Sequence, residues 1–317
     1  MKILITGGAG FIGSNLADRL LARGDEVLII DDLTTGQLRN VPKGAKYYNL
    51  TIGQEPYSPE SDVWLAPDWK GVDVVVHAAA SYGDPNDWKR DITTNVLGTA
   101  QVVQAMQGNG IKRLIYLQTA LCYGLKPLEQ PITLEHPLRP WGSSYAISKT
   151  AGESYIRSAG IDFVSFRLAN CYGPRNLSGP VPTFYKRLMD NNPCTVMDTR
   201  RDMVFIDDLL DVLIKAIKGQ GHGFYHVSSG SDVRIADLYY AICDTLGLDR
   251  PIKVKRRTKD DVETILLDPS ETEAIFRWKA QTPMTDGIKE TIAYYQEFGV
   301  GATYTHLRLD ENARKAK

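Results

Sequence analysis

Apolar residues follow two rhythms along this chain: short uninterrupted runs, and stretches with an apolar side chain every three or four positions. Runs at Ile3–Ile5, Val27–Ile30, Val72–Val76, Leu114–Leu117 and Phe163–Leu168 have the length and continuity of strands buried on both faces. Segments of helical period separate them, and the spacing predicts helices over Thr93–Gln107, with Val96, Val103 and Met106 on one face, and over Tyr145–Ala159. That alternation predicts an α/β fold, a Rossmann-type doubly wound parallel sheet. Beyond Leu168, Pro-rich and Gly-rich connections mix with short predicted helices at Ile206–Lys218 and Ile235–Leu246. The change of pattern predicts a smaller, mixed α/β C-terminal lobe. The expected division is 1–169 with a returning segment at about 202–228 for the larger domain, and 170–201 with 229–317 for the lobe. Pro56, Pro59 and Pro67 forbid a long helix between Gln54 and Trp69, which reads as an irregular loop.

The first run opens directly onto glycines at 7, 10 and 13, followed by Leu16, Leu20 and Leu21 at helical spacing. Gly7 allows a sharp turn, Gly10 removes a side chain where backbone must approach phosphate, and Gly13 lets helix and strand pack closely. The second run ends in Asp31, about twenty residues on, where a carboxylate can accept both hydroxyls of an adenosine ribose. Strand, glycine turn, helix and acidic strand end together predict a bound dinucleotide.

Composition narrows the partner. With 317 residues, a formal net charge of -1 and 24% charged residues, the chain has a sizeable core and no global field for nucleic acid or a membrane surface. No stretch approaches the roughly eighteen consecutive apolar residues of a membrane span, and the N-terminus enters a strand at once, so a soluble, cytoplasmic protein is expected. Four scattered cysteines and five dispersed histidines show no metal-ligand spacing, and no metal is expected. The basic run Lys253–Lys259 reads as a solvated strand edge or as a contact for substrate phosphates.

Two residue sets carry candidate chemistry. Tyr145 and Lys149 stand four apart, which on a helix stacks a phenol and an ammonium on one face. The ammonium, helped by an oxidised nicotinamide, would lower a phenol pKa that is ordinarily near 10 toward the range of a useful base. Thr119 follows the fourth run, at the carboxyl end of a strand, where open α/β sheets bind ligands. Its hydroxyl could hold a substrate oxygen beside Tyr145, or cap a local turn.

With those residues in place, the chain resembles the extended short-chain dehydrogenase/reductases that act on nucleotide sugars. The resemblance rests on Thr6-Gly-Gly-Ala-Gly-Phe-Ile-Gly13, Asp31-Asp-Leu33, His77-Ala-Ala-Ala80, Thr94-Asn95-Val-Leu-Gly98, Thr119 with Tyr123-Gly124, and Tyr145 with Lys149. It continues through Arg167-Leu-Ala-Asn170, Tyr172-Gly-Pro-Arg175, Arg201–Asp208 and Leu267-Asp-Pro-Ser270, covering nearly the whole chain. The resemblance implies NAD as cofactor, with Gly7, Gly10, Phe11, Ile12 and Gly13 at its diphosphate and Asp31 and Asp32 at the adenosine ribose. Thr51 and Ile52 would lie near adenine, Ala78 and Ala79 on the nicotinamide side, and Asn95 would support the cofactor region. Asn170, Arg201, Arg256 and Arg257 would meet the diphosphate of the sugar nucleotide. Thr51 replaces an aspartate common in relatives, and Thr258 replaces a phosphate-binding arginine. A homodimer joined through the Thr93 and Tyr145 helices is the assembly the resemblance implies.

Within such a family the residues after Thr119 help choose the reaction. Dehydratases resembling this chain carry Asp-Glu there, and decarboxylases usually keep the Glu, whereas this chain has Ala120 and Leu121, neither able to transfer a proton. The expectation is an isomerase, a nucleotide-sugar 4-epimerase, UDP-linked, in which Tyr145 is the base, Lys149 lowers its pKa and Thr119 holds the sugar O4. A 4,6-dehydratase or reductase of the same family, and a catalytically silent NAD-binding regulator, are the alternatives.

Overall fold

The computed structural model describes residues 1–54, 69–257 and 263–304. The loop expected at Gln54–Trp69 falls almost wholly outside them, as does Thr258. The runs become parallel strands β1 (Lys2–Thr6), β2 (Glu26–Asp31), β4 (Val74–His77), β5 (Arg113–Thr119) and β6 (Asp162–Leu168). An edge strand, β3 (Lys46–Asn49), and a late strand, β11 (Gly223–Val227), complete one seven-stranded sheet ordered β11-β6-β5-β4-β1-β2-β3. All its pairings are parallel, with Ile5 opposite Ile29 on one side and Val76 on the other. The order reverses at β1, so the crevice at its carboxyl end faces the glycine turn.

Period-two alternation feeds two cores. Ile3, Ile5, Val27, Ile29, Val74 and Val76 enter the cluster on one face, while Leu4, Leu28, Ile30 and Val75 enter that on the other. Helices cover both faces: α1 (Phe11–Ala22), α3 (Gly98–Gly108), α4 (Ser144–Ser158) and α6 (Ile206–Ile217). Four-residue α2 (Trp88–Asp91) runs through a π-helical turn at Ile92–Leu97 into α3. The helix expected at Thr93 therefore begins five residues earlier, because the Asp87 carboxylate accepts the Arg90 N–H at 3.0 Å and caps it. At α4 the sequence limits hold to within a residue, and Ser143 is the cap, its Oγ accepting from Ala146 N at 3.3 Å.

Among the described residues, the rest of the chain forms three short strand pairs and four α-helices. β7 (Asn170–Tyr172) pairs with β10 (Met203–Phe205), β8 (Thr195–Met197) with β13 (Lys253–Lys255), and β9 (Arg200–Arg201) with β12 (Val233–Arg234). Helices α5 (Pro180–Met189), α7 (Ile235–Leu246), α8 (Ser270–Phe276) and α9 (Met284–Phe298) pack around them. Among the described residues no helix is long and apolar enough to cross a membrane, and no group of His, Cys, Asp or Glu is arranged to hold a metal ion.

Candidate active site

The glycine turn is built by close approach. Gly7 adopts φ 70°, and a Cβ there would lie 2.6 Å from Ala79 N, so the turn packs directly on the Ala78–Ala79 backbone. A Cβ on Gly13 would lie 2.3 Å from Gly7 O, which locks the first turn of α1 onto the strand end. Gly10 differs: a Cβ there would meet only Gly7 O, at 3.2 Å, so this glycine keeps clear the open side of the turn, where α1 begins. The N–H groups of Phe11, Ile12 and Gly13 stand at that helix start with the positive end of the helix dipole behind them, a cradle shaped for a diphosphate.

Asp31 closes β2 and is more committed than the sequence implies. Its carboxylate accepts from Ala9 N at 3.0 Å and Leu33 N at 2.8 Å, so it ties the glycine turn to the next loop. Burial, with the charge of Asp32 adding to it, pushes its pKa up against the pull of the Leu33, Ala9 and Gly10 N–H groups. Asp32 accepts from Thr34 N at 2.9 Å. Asn40, which carries no sequence signal, braces the same turn by donating to Ala9 O at 3.2 Å. Ile52 is buried against Gly98, and Thr51 beside it is half-buried.

Thr119, Tyr145 and Lys149 come from β5 and α4, which pack together. Thr119 is half-buried at the strand end, and its Oγ1 accepts from Leu121 N at 3.2 Å, so it also caps the turn that follows. Lys149 is 1% exposed, with Nζ 3.8 Å from the centroid of the Tyr116 ring. Tyr116 OH and Gln118 Nε2 both donate to Lys149 O, at 3.0 and 3.1 Å, fixing that turn of α4 to the strand. Burial lowers the Lys149 pKa to about 7, opposed by Glu153 one turn on. The cation–π contact with Tyr116 likewise favours the ammonium. For Tyr145, burial drives the pKa well up, with Tyr82 and then Asp91 adding to it, so the surrounding protein groups oppose ionisation.

Asn95 lies in the π-helical turn and acts as a clamp. Its Oδ1 accepts from Ser81 N at 2.8 Å, and its Nδ2 donates to Ser81 O and to Ser148 Oγ, both at 2.9 Å. Ser148 Oγ in turn donates to Tyr145 O at 3.0 Å, so Asn95 reaches the phenol-bearing turn through one side chain. Gly152 permits the close packing of these helices, since a Cβ there would sit 2.6 Å from Asn95 O.

Arg256 and Arg257 line an open cavity of about 600 Å³ together with Lys126, Arg200 and Arg234, and with Asp198 and Glu263 as counter-charges. Arg201 is not on it. In the two-residue strand β9, neighbouring side chains point to opposite faces, and it is Arg200 that faces the cavity. Arg201 Nη1 donates instead to Arg200 O at 2.7 Å. Asn170 opens β7, and its Nδ2 donates to Asp202 O at 3.2 Å. The cavity wall includes neither Tyr145 nor the glycine turn.

Comparison with known proteins identifies the family of the chain. A family model described as the NAD dependent epimerase/dehydratase family matches residues 3–227. The chain is 28% identical to a UDP-glucose 4-epimerase of Mycolicibacterium smegmatis over 313 residues, 93% of this chain and 99% of that protein. It is similar to the Bordetella bronchiseptica enzyme WbmH, solved in complex with NAD+, at 42% identity and a TM-score of 0.86, covering 94% of this chain and 99% of that one. WbmG of the same organism, solved with NAD and UDP, is 39% identical with a TM-score of 0.85, covering 96% and 97%.

Proposed function

Because the chain belongs to the NAD-dependent epimerase/dehydratase family, we propose that it is a nucleotide-sugar 4-epimerase acting on a UDP-linked hexose with NAD as cofactor. The observation that carries the choice of reaction is the pair that follows Thr119. Ala120 is buried in an apolar cluster with Cys122, Ile132, Ile265 and Leu267, and Leu121 packs against that cluster, so neither position offers a second proton-transfer group beside Tyr145. Dehydration needs such a group, and C4 epimerisation does not.

The diphosphate of NAD would rest on Gly7, Gly10 and the N–H groups of Phe11, Ile12 and Gly13, and its ribose on Asp31 and Asp32. Thr51 and Ile52 would flank adenine, Ala78 and Ala79 the nicotinamide, and Lys149 the second ribose. When bound, NAD supplies a reversible hydride acceptor and, in its oxidised form, a positive charge. Tyr145 Oη takes the proton of the sugar C4 hydroxyl and returns it once the 4-keto sugar has turned over. Thr119 Oγ1 holds O4, and a positive charge on Lys149, one turn along the helix, works against the burial that keeps the phenol protonated. Arg256 and Arg257, joined by Arg200, receive the sugar-nucleotide diphosphate from the cavity they line, with Asn170 and Arg201 contributing from the neighbouring strands β7 and β9. The active form is a homodimer, in which the exposed apolar residues Trp88, Ile92, Ile147 and Tyr155 of the paired helices meet a second copy.

The test is a product assay by NMR across UDP-, dTDP- and GDP-sugars, run on the parent enzyme and on Tyr145→Phe. The parent should equilibrate C4 epimers of a UDP-hexose with no net NADH, and the variant should retain NAD without turnover. Release of a stable 4-keto product, net NADH formation, or unchanged turnover in Tyr145→Phe would each overturn the reading.

A further inference from the structure

The segment that follows α9 returns to the catalytic cleft. Gly299, at φ 73°, turns the chain, and residues 300–304 reach the loop after β7. There Tyr304 N donates to Leu177 O at 2.8 Å and Gly179 N donates to Tyr304 O at 3.0 Å, a one-residue parallel bridge at Ser178. The receiving loop is held from behind, since Tyr295 OH donates to Asn176 O at 2.6 Å and Ser178 N donates to Asn176 Oδ1 at 2.8 Å.

Its backbone so fixed, Tyr304 presents its ring to the cleft. The ring packs edge-on against Tyr82, with centroids 6.4 Å apart and planes at 76°. A Cβ on Gly83 would lie 3.8 Å from Tyr304 Cδ1, so the ring also runs along the backbone beside Tyr82. Tyr82 meets Tyr145 in the same manner, at 6.2 Å and 64°. Three phenols therefore stand in sequence from the returning segment to the proposed base, and edge-on contacts of this kind favour one relative placement of the rings.

We propose that Tyr304 is a positioning residue for catalysis: by backing Tyr82 it fixes the aromatic wall beside Tyr145 and keeps water from that side of the phenol. The inference rests on Tyr145 being the base. The titratable groups bearing on that phenol are Tyr82 from the segment after β4, Asp91 from α2 and Tyr116 from β5, and Lys149 lies one turn on along its own helix. Burial holds the Tyr82 phenol up at about 12, with Tyr304 adding to the effect, as expected of a water-poor wall.

The experiment uses the full chain loaded with NAD and compares Tyr304→Ala, Tyr304→Phe, Tyr82→Leu and the Tyr304→Ala/Tyr82→Leu pair. Tyr304→Ala should lower kcat about tenfold through misplacement of the reacting phenol. It should also shift the acid limb of the kcat profile down by about half a pH unit, because readmitted water favours the phenolate. NAD content should be unchanged. Tyr304→Phe, which keeps the ring, should stay within about twofold of the parent. Tyr82→Leu should reproduce the loss, and the pair should lose no more than either alone. The proposal is overturned if Tyr304→Ala keeps the parent kcat and pH profile, even with a lowered melting temperature, or if the two losses multiply. A turnover-competent Tyr145→Phe would instead overturn the base assignment, which is a separate outcome.

Discussion

Replacing Glu153 by Gln should cost far more stability than losing an exposed ion pair, and the geometry says how much. Glu153 is 3% exposed and Arg167 5%. Arg167 Nη2 donates to Glu153 Oε2 at 2.9 Å, its Nε lies 3.3 Å from Oε1, and Ser165 Oγ donates to the same Oε1 at 2.5 Å. The guanidinium otherwise donates to Tyr123 OH at 2.7 Å and lies 4.7 Å from the Phe224 ring centroid, contacts that carry no counter-charge. A glutamine keeps the shape but removes the charge, and its amide turns donors toward donors. Removing one partner of such a buried pair costs about 3–5 kcal/mol. An exposed pair such as Lys46–Glu26 contributes roughly 0–1 kcal/mol. The joint change Glu153→Met/Arg167→Met leaves no uncompensated charge and should recover most of the loss. Urea unfolding, followed by tryptophan fluorescence and circular dichroism, measures both. An E153Q variant within about 1 kcal/mol of the parent, or a double variant no better than the single, would refute the argument.

Two further outcomes are expected. Burial holds His77 down at about 3 and His226 at about 4, against 6.5 for an ordinary histidine. Both are neutral in the fold, so their stabilising contribution is complete above pH 6.5 and is lost as pH falls toward 4, by up to about 1.4 kcal/mol per pH unit for each. The urea midpoint should drop over that window and drop less in His77→Gln/His226→Gln; equal slopes would contradict it. Ile147, 49% exposed on α4, belongs to the proposed dimer face, so Ile147→Glu should convert a sedimenting dimer to monomer, and a monomeric parent at micromolar concentration would end that reading.

Where the sequence was informative, the chemistry was local. Tyr145 and Lys149 needed only helical spacing to be placed on one face, and Gly7, Gly10 and Gly13 needed only the strand before them and the helix after. β3 escaped detection because a sheet edge of sequence Lys-Tyr-Tyr-Asn has no apolar run to offer. The three short strand pairs are below the length at which alternation can be recognised, so nothing in the sequence marks Arg200 as lining the cavity with Arg256 and Arg257. In a strand, one residue of register exchanges the two faces, and the register of β9 is set by its pairing with β12, more than thirty residues away.

The same distinction explains what surrounds the candidate base. Tyr116 under Lys149, Tyr82 beside Tyr145 and Tyr304 behind Tyr82 come from three segments far apart in the sequence, and no spacing rule joins them. These groups set the opposing pressures on the site: the Tyr116 face favours charge on Lys149, while Tyr82 and Asp91 disfavour it on Tyr145. A phenol held protonated by its own protein and ionised only beside Lys149 and an oxidised nicotinamide would act as a base only when the cofactor can accept the hydride. In the proposed reaction proton removal and oxidation would thereby be coupled, which is the condition an epimerase must meet to return both proton and hydride to the same sugar.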